Sequence, residues 1–172
     1  MSTNTNTTTP KLDITFVNPF VEGTIETLRV QCSSEAKQMK PFLRGNGPKL
    51  DCEIAAFVGI TSSAFSGSMA LCFTKSAFLG LMNSMMGENY TEITNDIQDG
   101  AAELCNIIFG QAKRVLNNQG HDVQLAIPSI MRGQNLEPIH LTRTSVIIIP
   151  FETINGPFQI EICGENRSKK AA

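Results

Sequence analysis

From Asn95 to Gly120 the sequence NDIQDGAAELCNIIFGQAKRVLNNQG carries its apolar side chains at helical spacing. At about 100° per residue, Ala101, Leu104, Ile108, Ala112 and Val115 share one arc, and Cys105, Phe109 and Leu116 widen it. A helix of this length with one apolar side must lay that side on another element. Gly120 is placed to end it.

The rest of the chain supplies a surface to pack on. CEIAAFVGIT and GSMALCFT, joined by the small polar segment SSAFSG, read as a hairpin. SVIIIPFETI and FQIEICGE, flanking NGP, read as a second. VQLAIPSIM is strand-like, and Pro128 within it marks an edge strand or a bend. NPFVEGTIETLRVQC has the marks of a helix capped by Asn18, with Pro19 at the first helical position and Phe20, Ile25, Leu28 and Cys32 as its apolar face. KPFLRGNGPKLD is turn-rich. KSAFLGLMNSMMG reads as a helix ending at Gly87, with Met82, Met85 and Met86 as flexible core filling.

Helices and antiparallel hairpins are partly segregated, which sets the class as α+β: roughly three helices packed on a mostly antiparallel sheet of about six strands. A chain of 172 residues is long enough for one domain with a real core. The expected limits are a polar N-terminal tail at 1–12, a single domain at 13–165 and a C-terminal tail at 166–172.

Charge and cysteine usage narrow the function. Fourteen basic residues against sixteen acidic ones leave a net charge of −2, with no basic run. Together with one Tyr and no Trp, this argues against nucleic acid as a partner. Cys32, Cys52, Cys72, Cys105 and Cys163 are odd in number, widely spread and set among apolar residues, as buried free thiols are. No C-x-x-C occurs and the only histidines are His121 and His140, so no metal site is expected. No signal pattern and no membrane-length apolar run is present, so the expected location is the cytoplasm, with no membrane partner.

The polar side of the long helix is the unusual part. Asp99, Glu103, Asn106, Gly110 and Lys113 follow one another at steps of four, three, four and three and fall within a narrow arc. Glu103 and Asn106 are neighbours at that spacing. The carboxylate can pair with a cation on a partner, and the amide can donate to and accept from one water. Gly110 removes bulk one turn further on, where another backbone could approach. A solvated face would produce the same polarity, Asp99 would favour the helix dipole wherever it pointed, and close helix packing would suffice to explain Gly110.

A resemblance adds to this reading. DGAAELCNIIFGQAK resembles the signature of the CheC/CheX/FliY family of chemotaxis phosphatases, in which an Asp precedes Glu-x-x-Asn on a long helix. FVNPFVEGTIETL is similar to the family's opening helix, VGITSSAFSGSMALCF to its central hairpin, SMMGENYTEITNDIQD to the link into the signature helix, and IPSIMRGQ to the strand and turn that follow. A single Glu-x-x-Asn helix points to the CheX-like branch. The resemblance implies a phosphatase acting on the aspartyl-phosphate of a phosphorylated CheY-like receiver domain. Glu103 would pair with the receiver's lysine, and Asn106 would orient the attacking water. Asp99, Gly110 and Lys113 would be partner-binding. The chain itself would bind no cofactor, since Mg²⁺ would sit in the receiver. A homodimer through strand edges is also implied. The same fold occurs in flagellar switch components, so a non-enzymatic receiver-binding module is the alternative.

Other features carry less. SEAK, Ser34 to Lys37, fits S-x-x-K but lacks companion motifs and reads as a polar helix end. Gly45-Asn46-Gly47 reads as a turn, and His121 as a helix-end residue suited to the dipole.

Overall fold

The computed structural model describes residues 14–167. The expected tails at 1–12 and 166–172 lie outside that range, apart from Asn166 and Arg167. The elements run α1 (Ile14–Cys32), β1 (Lys37–Gln38), β2 (Phe42–Leu43), β3 (Ile54–Thr61), β4 (Phe65–Phe73), α2 (Lys75–Met86), α3 (Asn95–Asn118), β5 (Ser129–Arg132), β6 (Ile147–Thr153) and β7 (Gly156–Asn166). Three helices and an antiparallel sheet bear out the α+β class. The sheet has seven strands, in the order β1-β6-β7-β4-β3-β5 with β2 also on β6.

Both predicted hairpins form. β3 pairs with β4 from Ile54↔Phe73 to Thr61↔Ser66, and β6 with β7 from Ile147↔Ile162 to Thr153↔Gly156. β4 pairs along its whole length with β7, from Phe65↔Asn166 to Phe73↔Phe158, and the two make the sheet's centre. Gly67 permits this, because a Cβ there would stand 2.2 Å from the Cys163 carbonyl oxygen.

Of the two shortest strands, β2 was hidden in the turn-rich segment and β1 just before it, beginning at Lys37 where SEAK reads as a polar helix end. β1 pairs with Phe151 and Glu152 of β6, and β2 with Ile147 and Ile148. Pro150 lies between these pairings and its carbonyl accepts from Met39 N–H, so its nitrogen faces the same edge with no hydrogen to give. That missing donor accounts for the break between β1 and β2.

The helices cover one face of the sheet. The main core joins Phe20, Leu28, Phe78, Leu104, Ile108 and Phe109 from the helices to Ile54, Leu71, Phe73, Phe151 and Phe158 from the strands. The other face is covered by segments without regular structure. There Cys52, Ala55, Ala70 and Cys72 form a small second cluster with Leu50, Phe57, Met131 and Leu136.

Several expectations need correction. α1 already runs from Ile14, so Pro19 is buried inside it rather than opening it, and Asn18 is no cap. Burial of Phe16, Val17, Phe20 and Val21 extends the apolar stripe backwards, and at about 1.5–3 kcal/mol for each large side chain it outweighs the roughly 3 kcal/mol cost of an interior proline. Ile25 is exposed, and Gly23, Thr24 and Thr27 take the buried positions instead. The strand in VQLAIPSIM begins only at Ser129, since Pro128 ends the pairing and 121–128 is irregular. It is the edge strand that Pro128 suggested. Met82 is core and Met85 packs against it, but Met86 is exposed.

Candidate functional site

The rotation of α3 about its axis is fixed by what it buries. Ile97, Ala101, Leu104, Cys105, Ile108, Phe109, Ala112 and Leu116 face inward. Turning the helix by one residue would bring Leu104 and Ile108 towards water, at about 1.5–3 kcal/mol each. Neighbouring helices add close contacts. A Cβ on Gly23 of α1 would stand 3.3 Å from the Ile108 carbonyl oxygen, and one on Gly100 would stand 2.2 Å from Met82 Sδ of α2.

Both ends of α3 are anchored. At its start, the Asn83 amide donates to Tyr90 O at 3.0 Å and accepts from Tyr90 N–H at 2.6 Å, which holds the link between α2 and α3. Lys75 pairs with Glu92 at 2.7 Å, and Arg132 donates to Ile93 O at 3.2 Å. At its end, His121 N–H bonds Leu116 O at 3.0 Å and Gly120 N–H bonds Asn117 O at 3.0 Å. This is a Schellman termination, and Gly120 adopts the φ of +88° that it requires. The His121 ring stacks edge-on against Phe16, with centroids 5.6 Å apart. Its role is packing at the helix end.

With the helix so fixed, Asp99, Glu103, Asn106 and Gly110 are all exposed on one edge. Lys113, expected to face solvent, is half-buried, as is Val115, expected in the apolar arc. No side-chain hydrogen bond or ion pair within the described residues engages Asp99, Glu103 or Asn106. Nothing lies within 4 Å of where a Cβ on Gly110 would be. Close helix packing therefore does not explain that glycine. The edge presents a carboxylate, then an amide one turn on, then a bare stretch of backbone. Chemically it can accept a cation's hydrogen bonds and hold a water between donor and acceptor.

The family model described as chemotaxis phosphatase CheX matches residues 54–152, from the start of β3 to near the end of β6. The chain belongs to the CheX family. Chemotaxis protein CheX from Vibrio vulnificus shares its fold with a TM-score of 0.81 and 31% identity, covering 87% of this chain and 99% of that one. The CheY-P phosphatase CheX of Thermotoga maritima is 24% identical over 127 residues, 73% of this chain and 81% of that protein. The CheX–CheY–BeF3–Mg²⁺ complex from Borrelia burgdorferi contains a chain of the same fold, with a TM-score of 0.72 and 20% identity over 90% of this chain and 99% of that one. The CheX match takes in the whole of α3 and both of its anchors. The resemblance drawn from the sequence is thus borne out at the level of family and fold. Among the described residues no helix is long and apolar enough to cross a membrane.

The sequence reading missed a buried polar network on the opposite face of the sheet. Gln159, Glu161 and Cys163 alternate with Phe158, Ile160 and Ile162 along β7, and all six are buried. The alternation was legible, but alternating polar positions on a strand ordinarily face water. Only the fold shows that residues 133–146 lie over them.

Proposed function

We propose that this chain is a phosphatase for the aspartyl-phosphate of a CheY-type receiver domain. Glu103 docks on the receiver's lysine. Asn106 enters the receiver's site and orients the water for in-line attack. Asp99 and Lys113 flank the contact, and Gly110 lets the receiver's backbone approach α3. The Mg²⁺ that neutralises charge on the phosphoryl group belongs to the receiver. Such chemistry is mostly positioning and electrostatics, so a carboxylate and an amide on a rigid helix can supply this chain's share.

The observation that carries the reading is the exposed, unpartnered pair Glu103 and Asn106 beside an open Gly110. A solvated face would explain the polarity but not the glycine, which costs a helix roughly 1 kcal/mol relative to alanine. The names of two relatives, a CheY-P phosphatase and a CheX–CheY complex, point the same way.

The test is phosphate release from a phosphorylated receiver. Asn106→Ala should fold normally, keep binding and lose turnover on the order of a hundredfold. Glu103→Ala should bind more weakly. Unchanged rates in both variants would remove the mechanism. Binding that leaves the phosphoryl lifetime untouched would favour a non-enzymatic receiver-binding module instead.

We also propose a homodimer through the β5 edge. That strand has four residues, and the segment leading into it leaves Leu125 and Ile127 83% and 92% exposed. Edge strands flanked by bare apolar side chains pair readily. Ile127→Glu should turn a sedimenting dimer into a monomer, and an unchanged sedimentation coefficient would move the interface elsewhere.

A further inference from the structure

Behind the sheet, remote from the α3 edge, four side chains form a continuous chain of hydrogen bonds. Cys163 Sγ lies 3.4 Å from Ser68 Oγ. Ser68 Oγ lies 2.9 Å from His140 Nδ1. His140 Nε2 lies 3.0 Å from Glu161 Oε2. Glu161 is held in turn by Gln159 Nε2 at 2.7 Å and by an ion pair with Arg44. Two more contacts close the system: Thr142 Oγ1 donates to Cys163 Sγ at 3.2 Å, and Leu141 N–H donates to Ser68 Oγ at 3.4 Å.

Proton bookkeeping allows this chain two states. In one, the His140 ring is neutral. Its Nε2–H donates to Glu161, its Nδ1 accepts from the Ser68 hydroxyl, and the Cys163 thiol keeps its proton. In the other, His140 is an imidazolium that donates from both nitrogens. Ser68 then accepts from His140 and Leu141, and its single proton can go only to the sulfur. Thr142 gives the sulfur a second donor, so Cys163 is a thiolate. Nucleophile, relay, base and orienting carboxylate stand in sequence, the arrangement that activates a nucleophile wherever it occurs.

We propose that Cys163 is a reactive thiol, activated by His140 through Ser68, and that it reacts with small hydroperoxides. The sulfur lone pair attacks the hydroxyl-bearing oxygen of the peroxide. An S–O bond forms as the O–O bond breaks, so sulfur is oxidised to a sulfenic acid and the peroxide is reduced. The departing alkoxide or hydroxide takes its proton from the His140 imidazolium, passed along Ser68, and leaves as alcohol or water. His140 ends neutral.

The charge environment agrees. Burial opposes ionisation of Cys163, but the nearby charge of His140 and the hydrogen bonds from Ser68 and Thr142 outweigh it and draw the thiol down to about 6. Burial alone pushes Cys105 up to about 12 and Cys32 up to about 11. Cys72, hydrogen-bonded to Cys52 and buried, also moves up. Burial lowers His140, while Cys163 and Glu161 raise it to a net position above its ordinary value. Cys163 is fully buried, so a reagent reaches its sulfur through local opening of the strap that covers it. Residues 139–142 of the overlying strap point His140 and Thr142 inward and Ile139 and Leu141 outward. A cavity of about 280 Å³ lined by Arg44, Gln159 and Glu161 lies at the carboxylate end of the relay, not at the sulfur.

The experiment pulses the full chain with limiting iodoacetamide across a pH series from about 5 to 9 and maps the labelled cysteines by mass spectrometry. Cys163 should label first of the five, with a midpoint near 6. Ser68→Ala and His140→Gln, each checked for folding by circular dichroism, should raise that midpoint towards the ordinary thiol value of about 8.5 and slow labelling at neutral pH roughly tenfold. Hydrogen peroxide followed by dimedone should leave one adduct, on Cys163. The proposal is overturned if Cys163 labels no faster than the others, if the midpoint is the same in both folded variants, or if peroxide yields no adduct there.

Discussion

A Cβ on Gly100 would stand 2.2 Å from Met82 Sδ, whereas one on Gly110, further along the same helix, would meet nothing. The two glycines of α3 therefore answer to different constraints. Gly100→Ala must push aside a fully buried methionine, and overpacking of this kind costs about 1–3 kcal/mol. Gly110→Ala should stabilise the fold by up to about 1 kcal/mol through helix propensity. In urea denaturation the two midpoints should move in opposite directions. If the proposed docking is right, the more stable Gly110→Ala protein should also bind a phosphorylated receiver less tightly. Stability gained with no loss of binding would mean that no backbone approaches there.

Glu161 lies on a central strand with Arg44, His140 and Gln159 all donating to it. Glu161→Ala leaves His140 and Gln159 without their acceptor beneath the strap, while the exposed Arg44 guanidinium can turn to water. Leaving buried donors without an acceptor costs about 1–3 kcal/mol. The loss should appear in thermal melts as a lower midpoint with the helices intact. A variant as stable as the wild type would show that the strap's polar contacts contribute little.

These residues also mark where the sequence was legible. The α3 edge could be located from spacing because a helix buried on one side must show its other side. The hairpins were legible because alternation and turn residues agreed. The length of α1 was not, because Asn18-Pro19 imitates a helix start and only contacts made by Phe16 and Val17 reveal otherwise. β1 and β2 were hidden because two-residue pairings leave no period to detect. The Cys163 network was hidden for a different reason. Ser68, His140 and Glu161 are separated by 72 and 21 residues, and only the β4–β7 register and the strap bring them together.

The depressed Cys163 thiol makes a signed pH prediction. Its folded value of about 6 lies below that of an unfolded thiol, near 8.5. The ionised sulfur thus adds stability that is complete above the unfolded value and is lost as pH falls through about 6. His140 is raised, so its own contribution is present at low pH and is lost as pH rises through its folded value. The stability gap between the wild type and Cys163→Ala should therefore narrow as pH drops from about 8 through 6. Urea midpoints at several pH values measure it. A gap that stays flat or widens towards acid would contradict a buried thiolate.

Asn106→Asp separates the amide's chemistry from its shape. The two side chains are nearly isosteric, and Asn106 is exposed with no side-chain partner among the described residues, so folding stability should change by less than about 0.5 kcal/mol. Aspartate cannot donate to a water, and it brings a negative charge towards a phosphoryl group that is already anionic. Turnover of a phosphorylated receiver should fall on the order of a hundredfold or more. Binding should weaken as well, because like charges meet at the contact, and that loss should shrink as salt is raised. Asn106→Ala lacks the charge and should lose turnover while keeping affinity. If aspartate and alanine at this position behave identically in both assays, the side chain does not face the phosphoryl group.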